Sequence, residues 1–213
     1  MKMQLPLTLI ILFALVIGFT ACDDSGTGPE NDFQVEINTA TDIPADTTRP
    51  YTDITYYSLR ENTTLEDTDS ATTQWDVAFS GTTIYTNSGS SGPGEGGAVV
   101  LDAAFDDVSI APSGGYETDT DTLLAIPTGS DNGWYHYTNQ QEPQHAVLPL
   151  GNKTIVLKTA DGNHYAKLNI LSWYKGNPDT STEEFANMET RPTGSMYTFE
   201  YTIQMNGSRE FVE

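Results

Sequence analysis

The side chains of this 213-residue chain with the readiest metal or nucleophilic chemistry are three histidines, five methionines and one cysteine. None stands in a reactive pattern. His136, His145 and His164 lack the paired spacing of a zinc site, no GxSxG elbow is present, and Cys22 has no second cysteine with which to form a disulfide. Asp67-x-Asp69 and Asp119-x-Asp121 are not followed by the glycine and distant glutamate of an EF-hand loop, so they read as solvated acids. The Gly-rich run Asn87 to Ala98 lacks the Gly-Lys-Ser/Thr ending that a phosphate loop needs. Its adjacent glycines suit a sharp turn ahead of an Ala98 to Leu101 strand, which is the structural reading, with the lining of a ligand cleft as the alternative. With no paired base and nucleophile, the expectation is a protein that is not an enzyme.

The N-terminus sets the compartment. Lys2 precedes an apolar run from Leu5 to Phe19, about fifteen residues, too short to span hydrocarbon and arranged as a secretory leader. The small residues Thr20-Ala21 before Cys22 resemble the lipobox of bacterial lipoproteins, whose cysteine is lipidated and whose chain is cut just before it. The expected organisation is a signal peptide over 1–21, a lipidated Cys22 with a flexible acidic linker over 22–32, and one domain over 33–213. An ordinary signal peptide with an incidental Cys22 is the alternative. A linker of ten residues averages only ~15–20 Å end to end, which would keep the domain close to its membrane.

Charge excludes a further class. Nine bases stand against 30 acids, a net charge of −21. Nucleic-acid binding draws its affinity from lysine and arginine displacing counterions, so no nucleic-acid partner is expected. The same excess repels anionic headgroups, which leaves acyl chains as the means of membrane attachment.

The elements that must position any site read as strands. Phe33, Val35 and Ile37 alternate with polar residues, and Thr39 to Pro50 reads as a loop. Tyr51 to Leu59 and Thr72 to Ser80 are β-rich, the latter with Trp75, Val77 and Phe79 on one face. In Lys153 to Trp173, Asp161-Gly162 separates two alternating runs as a hairpin turn, with Leu157 facing Ala166 and Ile155 facing Leu168. The opposite face, Lys158 with Tyr165 and Val156 with Lys167, suits water. Tyr197 to Met205 alternates without a fault, and Thr182 to Met188 offers one turn of helix at most. The predicted fold is all-β, an antiparallel sandwich-like body or partly closed barrel of short strands.

The order of motifs resembles the HmuY-like family, lipid-anchored haem-binding proteins of Bacteroidetes. The matching elements are WDVAF from Trp75, NSGSSGPGEGGA from Asn87, APSGGY from Ala111, Gly133-Trp134, KTADGNHYAKL from Lys158 and YTFEYT from Tyr197. The resemblance covers about Tyr51 to Met205. It implies haem, or a related tetrapyrrole, as cofactor or cargo in iron acquisition. It also implies an outer-membrane location on the surface or periplasmic face, and a haem-donor protein or outer-membrane receptor as partner.

Haem iron takes axial ligands from His, Met, Cys or Tyr. In the family these come from the stretch between the AP…GY and GW motifs and from the stretch just after GW. Here the first stretch, Glu117 to Asn132, has none of the four. After GW come His136 and His145; Met188 is the methionine least committed to a strand, and Trp134 offers an aromatic wall. These four are the candidate haem-binding residues, each with a structural alternative, and no other metal site is expected. Tyr135, Tyr137, Trp173 and Tyr174 suit porphyrin stacking or a β core equally. Lys153, Lys158, Lys167 and Lys175 are available to haem propionates. A second expectation follows from the empty first stretch: an envelope β-domain that has lost haem ligation and binds another ligand or protein.

Overall fold

The computed structural model describes residues 34–46 and 52–212. The leader, Cys22, the linker and Phe33 lie outside the described residues, as does Tyr51. Eleven strands follow in chain order: β1 (Val35–Pro44), β2 (Thr55–Ser58), β3 (Thr63–Leu65), β4 (Val77–Ser80), β5 (Thr83–Thr86), β6 (Gly97–Leu101), β7 (Tyr135–Tyr137), β8 (Val147–Pro149), β9 (Thr154–Lys158), β10 (Tyr165–Tyr174) and β11 (Gly194–Gln204). They form a five-stranded sheet in the order β1-β11-β10-β9-β6, a four-stranded sheet β3-β2-β4-β5 and a two-stranded sheet β7-β8. All strand pairings are antiparallel, and the sheets stack as a sandwich rather than close into a barrel. Single-turn helix α1 (Glu183–Ala186) has Thr182 as its N-cap, whose side chain accepts from the Phe185 N–H.

Aromatic rings fill the space between the two larger sheets. Phe79 of β4 meets Tyr197 at 4.7 Å and Phe199 at 5.4 Å, while Tyr57 of β2 sits edge-on to Phe199 at 5.3 Å. All four are buried, and such ring pairs add ~0.5–1.5 kcal/mol each beyond their area. Buried Asp76 joins parts distant in sequence. Its Oδ2 accepts from the Leu59 N–H at 2.9 Å, its Oδ1 from the Ala160 N–H at 3.0 Å, and Arg60 Nε stands 3.8 Å away. Burial pushes this carboxyl up, against the two backbone donors and Arg60, which pull it down.

The β9–β10 register is the one predicted: Lys158 pairs with Tyr165, Leu157 with Ala166, Val156 with Lys167 and Ile155 with Leu168. The turn is wider than two residues. Only Gly162 has a positive φ, at 73°, and Ala160 gives its N–H to Asp76 and its carbonyl to Glu95 rather than pairing with Asn163. The face expected in water is covered instead. Val156 and Lys167 are buried beneath a cap formed by Val108, Ala111 and Phe211, and the Lys167 ammonium donates to the Phe105 carbonyl at 2.8 Å. β1 also departs from expectation, since Thr39 to Pro44 continues the strand. A register shift between Ala40 and Ile43 carries the pairing with β11 past the irregular residues, which the alternation alone did not reveal.

The Gly-rich run is a tightly packed turn. Asn87 donates from Nδ2 to the carbonyls of Thr72 and Trp75 and accepts the Gly94 N–H on Oδ1. A Cβ on Gly92 would lie 2.5 Å from the Trp75 ring and closer still to Asn87 Oδ1, so only glycine fits there.

Candidate functional site

An open cleft of about 710 Å³ lies where the three sheets meet. This is within the ~300–1,000 Å³ range of small-molecule sites. One side is the β4–β5 turn region with Ser80, Thr82, Thr83 and Tyr85; the other is the β7–β8 hairpin with Tyr135, Tyr137, His145 and Val147; Ser130 and Trp173 complete it. The floor is fixed by three aromatic donors. Trp173 Nε1 and the Tyr197 hydroxyl both donate to the Gly81 carbonyl, and Trp134 Nε1 donates to the Thr82 carbonyl at 3.1 Å.

The hairpin wall follows from strand alternation. Tyr135 and Tyr137, two apart on β7, line the cleft, whereas His136 between them does not. Its Nδ1 meets Asp131 Oδ1 at 2.8 Å. Hydrogen bonds from Ser130 first, and then from His136, hold the Asp131 carboxyl below its usual range. The loop from β7 to β8 closes on Thr138, whose N–H donates to the Ala146 carbonyl while its Oγ1 accepts the Ala146 N–H and donates to the Pro143 carbonyl. That closure turns His145 into the cleft with a φ of 54°, uncommon for any residue but glycine, held by its N–H to the Asn139 carbonyl at 2.8 Å. His145 Nδ1 lies 2.8 Å from the Tyr137 hydroxyl. The hairpin is fastened to β10 by the Tyr174 hydroxyl, which accepts the Val147 N–H at 3.0 Å.

The four predicted haem-binding residues separate. His145 lines the cleft. Trp134, just ahead of β7, is buried in the core against Tyr197 and Tyr135. Met188 is 59% exposed beyond α1 and does not line the cleft. Of the other aromatics, Tyr135, Tyr137 and Trp173 line the cleft, while Tyr174 packs edge-on to Phe185. The stretch Glu117 to Asn132 contributes only Ser130. Within that stretch buried Asp119 is consumed structurally, accepting the N–H groups of Thr86 and Ala125.

Ser80, Thr82, Thr83, Tyr85 and Ser130 carry no sequence signal as site residues, because tertiary packing alone brings them together. Among the described residues no lysine or arginine lines the cleft. Lys153 pairs with Asp102 and Lys167 lies under Phe105. Among the described residues no cluster of three metal-ligating side chains occurs, and no helix is long and apolar enough to cross a membrane.

These donors fit a tetrapyrrole iron held from one side, with His145 and Tyr137 on one wall and flat aromatic surface from Trp173 and Tyr135 nearby. They do not supply a second imidazole or thioether from the opposite wall.

The fold and cleft accord with a sequence comparison. The HmuY protein family matches residues 50–187, well over half of the chain, and the chain belongs to this family. The match is shorter than the motif resemblance, stopping ahead of the Tyr197 to Thr202 segment. No curated protein matches the chain.

Proposed function

We propose that this protein is a lipid-anchored, non-enzymatic protein of the cell envelope that binds haem or a related tetrapyrrole in the cleft beneath the β7–β8 hairpin, for iron or haem acquisition. The observation that carries the reading is His145, an imidazole turned by a left-handed backbone into a cleft of ligand size beside Tyr137. Membership of the HmuY protein family supports the same cargo. Cys22 is the proposed lipidation site, with the outer membrane, on its surface or periplasmic face, as the location. Haem would come from a haem-donor protein or pass to an outer-membrane receptor. Among the described residues the lining offers no lysine or arginine to pair with the propionates.

A second reading has its own observation. The Glu117 to Asn132 stretch, where the family places one ligand, contributes Ser130 and no His, Met, Cys or Tyr to the cleft, which favours a domain that takes another ligand or a protein. Titration of the purified protein with ferric haem separates the two. A saturable Soret shift that His145→Ala alters supports haem binding, and an unchanged haem spectrum in the presence of the protein rules it out.

A further inference from the structure

Resting on the haem reading above, we propose that Tyr137 is the residue that binds the iron, with His145 as the positioning residue that receives its phenol proton. Both line the same wall, with the hydroxyl 2.8 Å from Nδ1. The other imidazole nitrogen, Nε2, stands 3.4 Å from the Gln140 carboxamide nitrogen; with the carboxamide turned so that its oxygen accepts the Nε2–H, Nδ1 is the free acceptor for the phenol proton and both ring nitrogens face partners within the loop. The phenol oxygen has one partner in His145 and keeps lone-pair capacity toward the cleft. Tyr137 is also the better anchored of the two along its backbone. It sits in a ladder, paired with Val147, and its N–H donates to Ser130 Oγ at 2.8 Å.

The other cleft phenols lack this arrangement. The Tyr135 hydroxyl is 3.5 Å from Thr82 Oγ1 and its ring is nearly buried. Tyr85 has no imidazole beside it, and burial first, then the nearby Asp119 charge, push its phenol up. Tyr137 alone pairs a cleft-facing hydroxyl with a base fixed behind it. In the binding step Tyr137 gives its O–H proton to Nδ1 of His145 and its oxygen lone pair to the ferric iron; the iron–oxygen bond forms, the O–H bond breaks and no oxidation state changes. A phenolate is a hard anionic donor, so the site favours ferric over ferrous haem. It also needs no ligand from the Glu117 to Asn132 stretch, which contributes only Ser130 to the cleft.

The test is ferric and ferrous haem titration of the purified protein, of Tyr137→Phe and of His145→Ala, with resonance Raman spectra excited in the visible charge-transfer region. Wild type is expected to show iron–phenolate modes and to prefer ferric haem. Y137F should lose both, and H145A should keep the phenolate modes while ferric affinity falls ~10–100-fold, the usual cost of losing a ligand-orienting partner. Circular dichroism and thermal melts of both variants confirm that the fold is retained. Haem binding without phenolate modes in wild type overturns the assignment, as does a Y137F spectrum identical to wild type; either leaves the haem reading standing. A wild-type protein that does not bind haem overturns both.

Discussion

Trp173 and Tyr197 end on a single atom: the indole Nε1 and the phenol hydroxyl both donate to the Gly81 carbonyl oxygen, at 2.9 and 3.2 Å. Gly81 belongs to the turn between β4 and β5, whereas Trp173 and Tyr197 belong to β10 and β11, so this carbonyl joins the two large sheets beneath the cleft. Either donor alone still satisfies it. Tyr197→Phe should therefore cost ~0.5–1.5 kcal/mol, and Trp173→Phe a similar amount plus some packing. The double variant takes both donors from a buried carbonyl and should lose more than the sum, with a coupling of ~0.5–3 kcal/mol in a double-mutant cycle read by urea unfolding.

The hairpin turn carries an acid-sensitive contact. Asp161 Oδ2 meets Arg60 at 3.0 Å and His164 Nδ1 at 2.9 Å, and its Oδ1 accepts from Thr159 and the Asn163 N–H. Burial, the largest influence, pushes the carboxyl up, but these partners together outweigh it and hold the folded value below the usual one. A carboxyl depressed in the folded state contributes stability that is present above its unfolded value, ~3.9, and is lost as pH falls through the folded value. Asp161→Asn should lower stability at neutral pH and flatten that acid limb. Unfolding free energy measured against pH from neutral to about 2 checks both effects.

Gly92→Ala should destabilise by ~1–3 kcal/mol through overpacking, because its Cβ would press on both the Trp75 ring and the Asn87 carboxamide. The thermal midpoint reads the loss. Gly114→Ala, where a Cβ meets nothing within 4 Å, should leave the midpoint nearly unchanged.

Cys22→Ala should move the protein from the membrane fraction to the soluble fraction with its fold intact, since the sulfur is the proposed acyl attachment point. Detergent phase partitioning of the wild-type and variant proteins measures the change. Membrane retention of the variant would dismiss the anchor.

Strand identity and register were legible wherever one face carried an unbroken apolar set. Leu157, Ala166, Ile155 and Leu168 fixed the β9–β10 pairing, and Tyr197, Phe199, Tyr201 and Ile203 marked β11. The polar parity of β11 did not announce its own burial, yet Thr198, Thr202 and Gln204 are also buried, and Thr198 Oγ1 accepts the Asp42 N–H at the irregular stretch of β1. Lys167 misled for a related reason: its ammonium finds the Phe105 carbonyl and ring under a cap supplied by residues tens of positions away. Of the residues singled out from the sequence, His145, Tyr135, Tyr137 and Trp173 line the cleft. Which of Trp134, Tyr135 and Tyr137 turn inward depends on where β7 begins, and the contribution of Thr82 or Trp173 depends on packing between segments that the chain order does not pair.

The two-stranded β7–β8 unit hydrogen-bonds in register with neither large sheet, and a lone ribbon of three-residue strands has little stability of its own. The cleft is thus a calliper whose first jaw is part of a sheet, while the jaw bearing Tyr137 and His145 owes its position to side chains, with Tyr135 and Val147 seated in the main core and the Tyr174 hydroxyl holding the Val147 N–H.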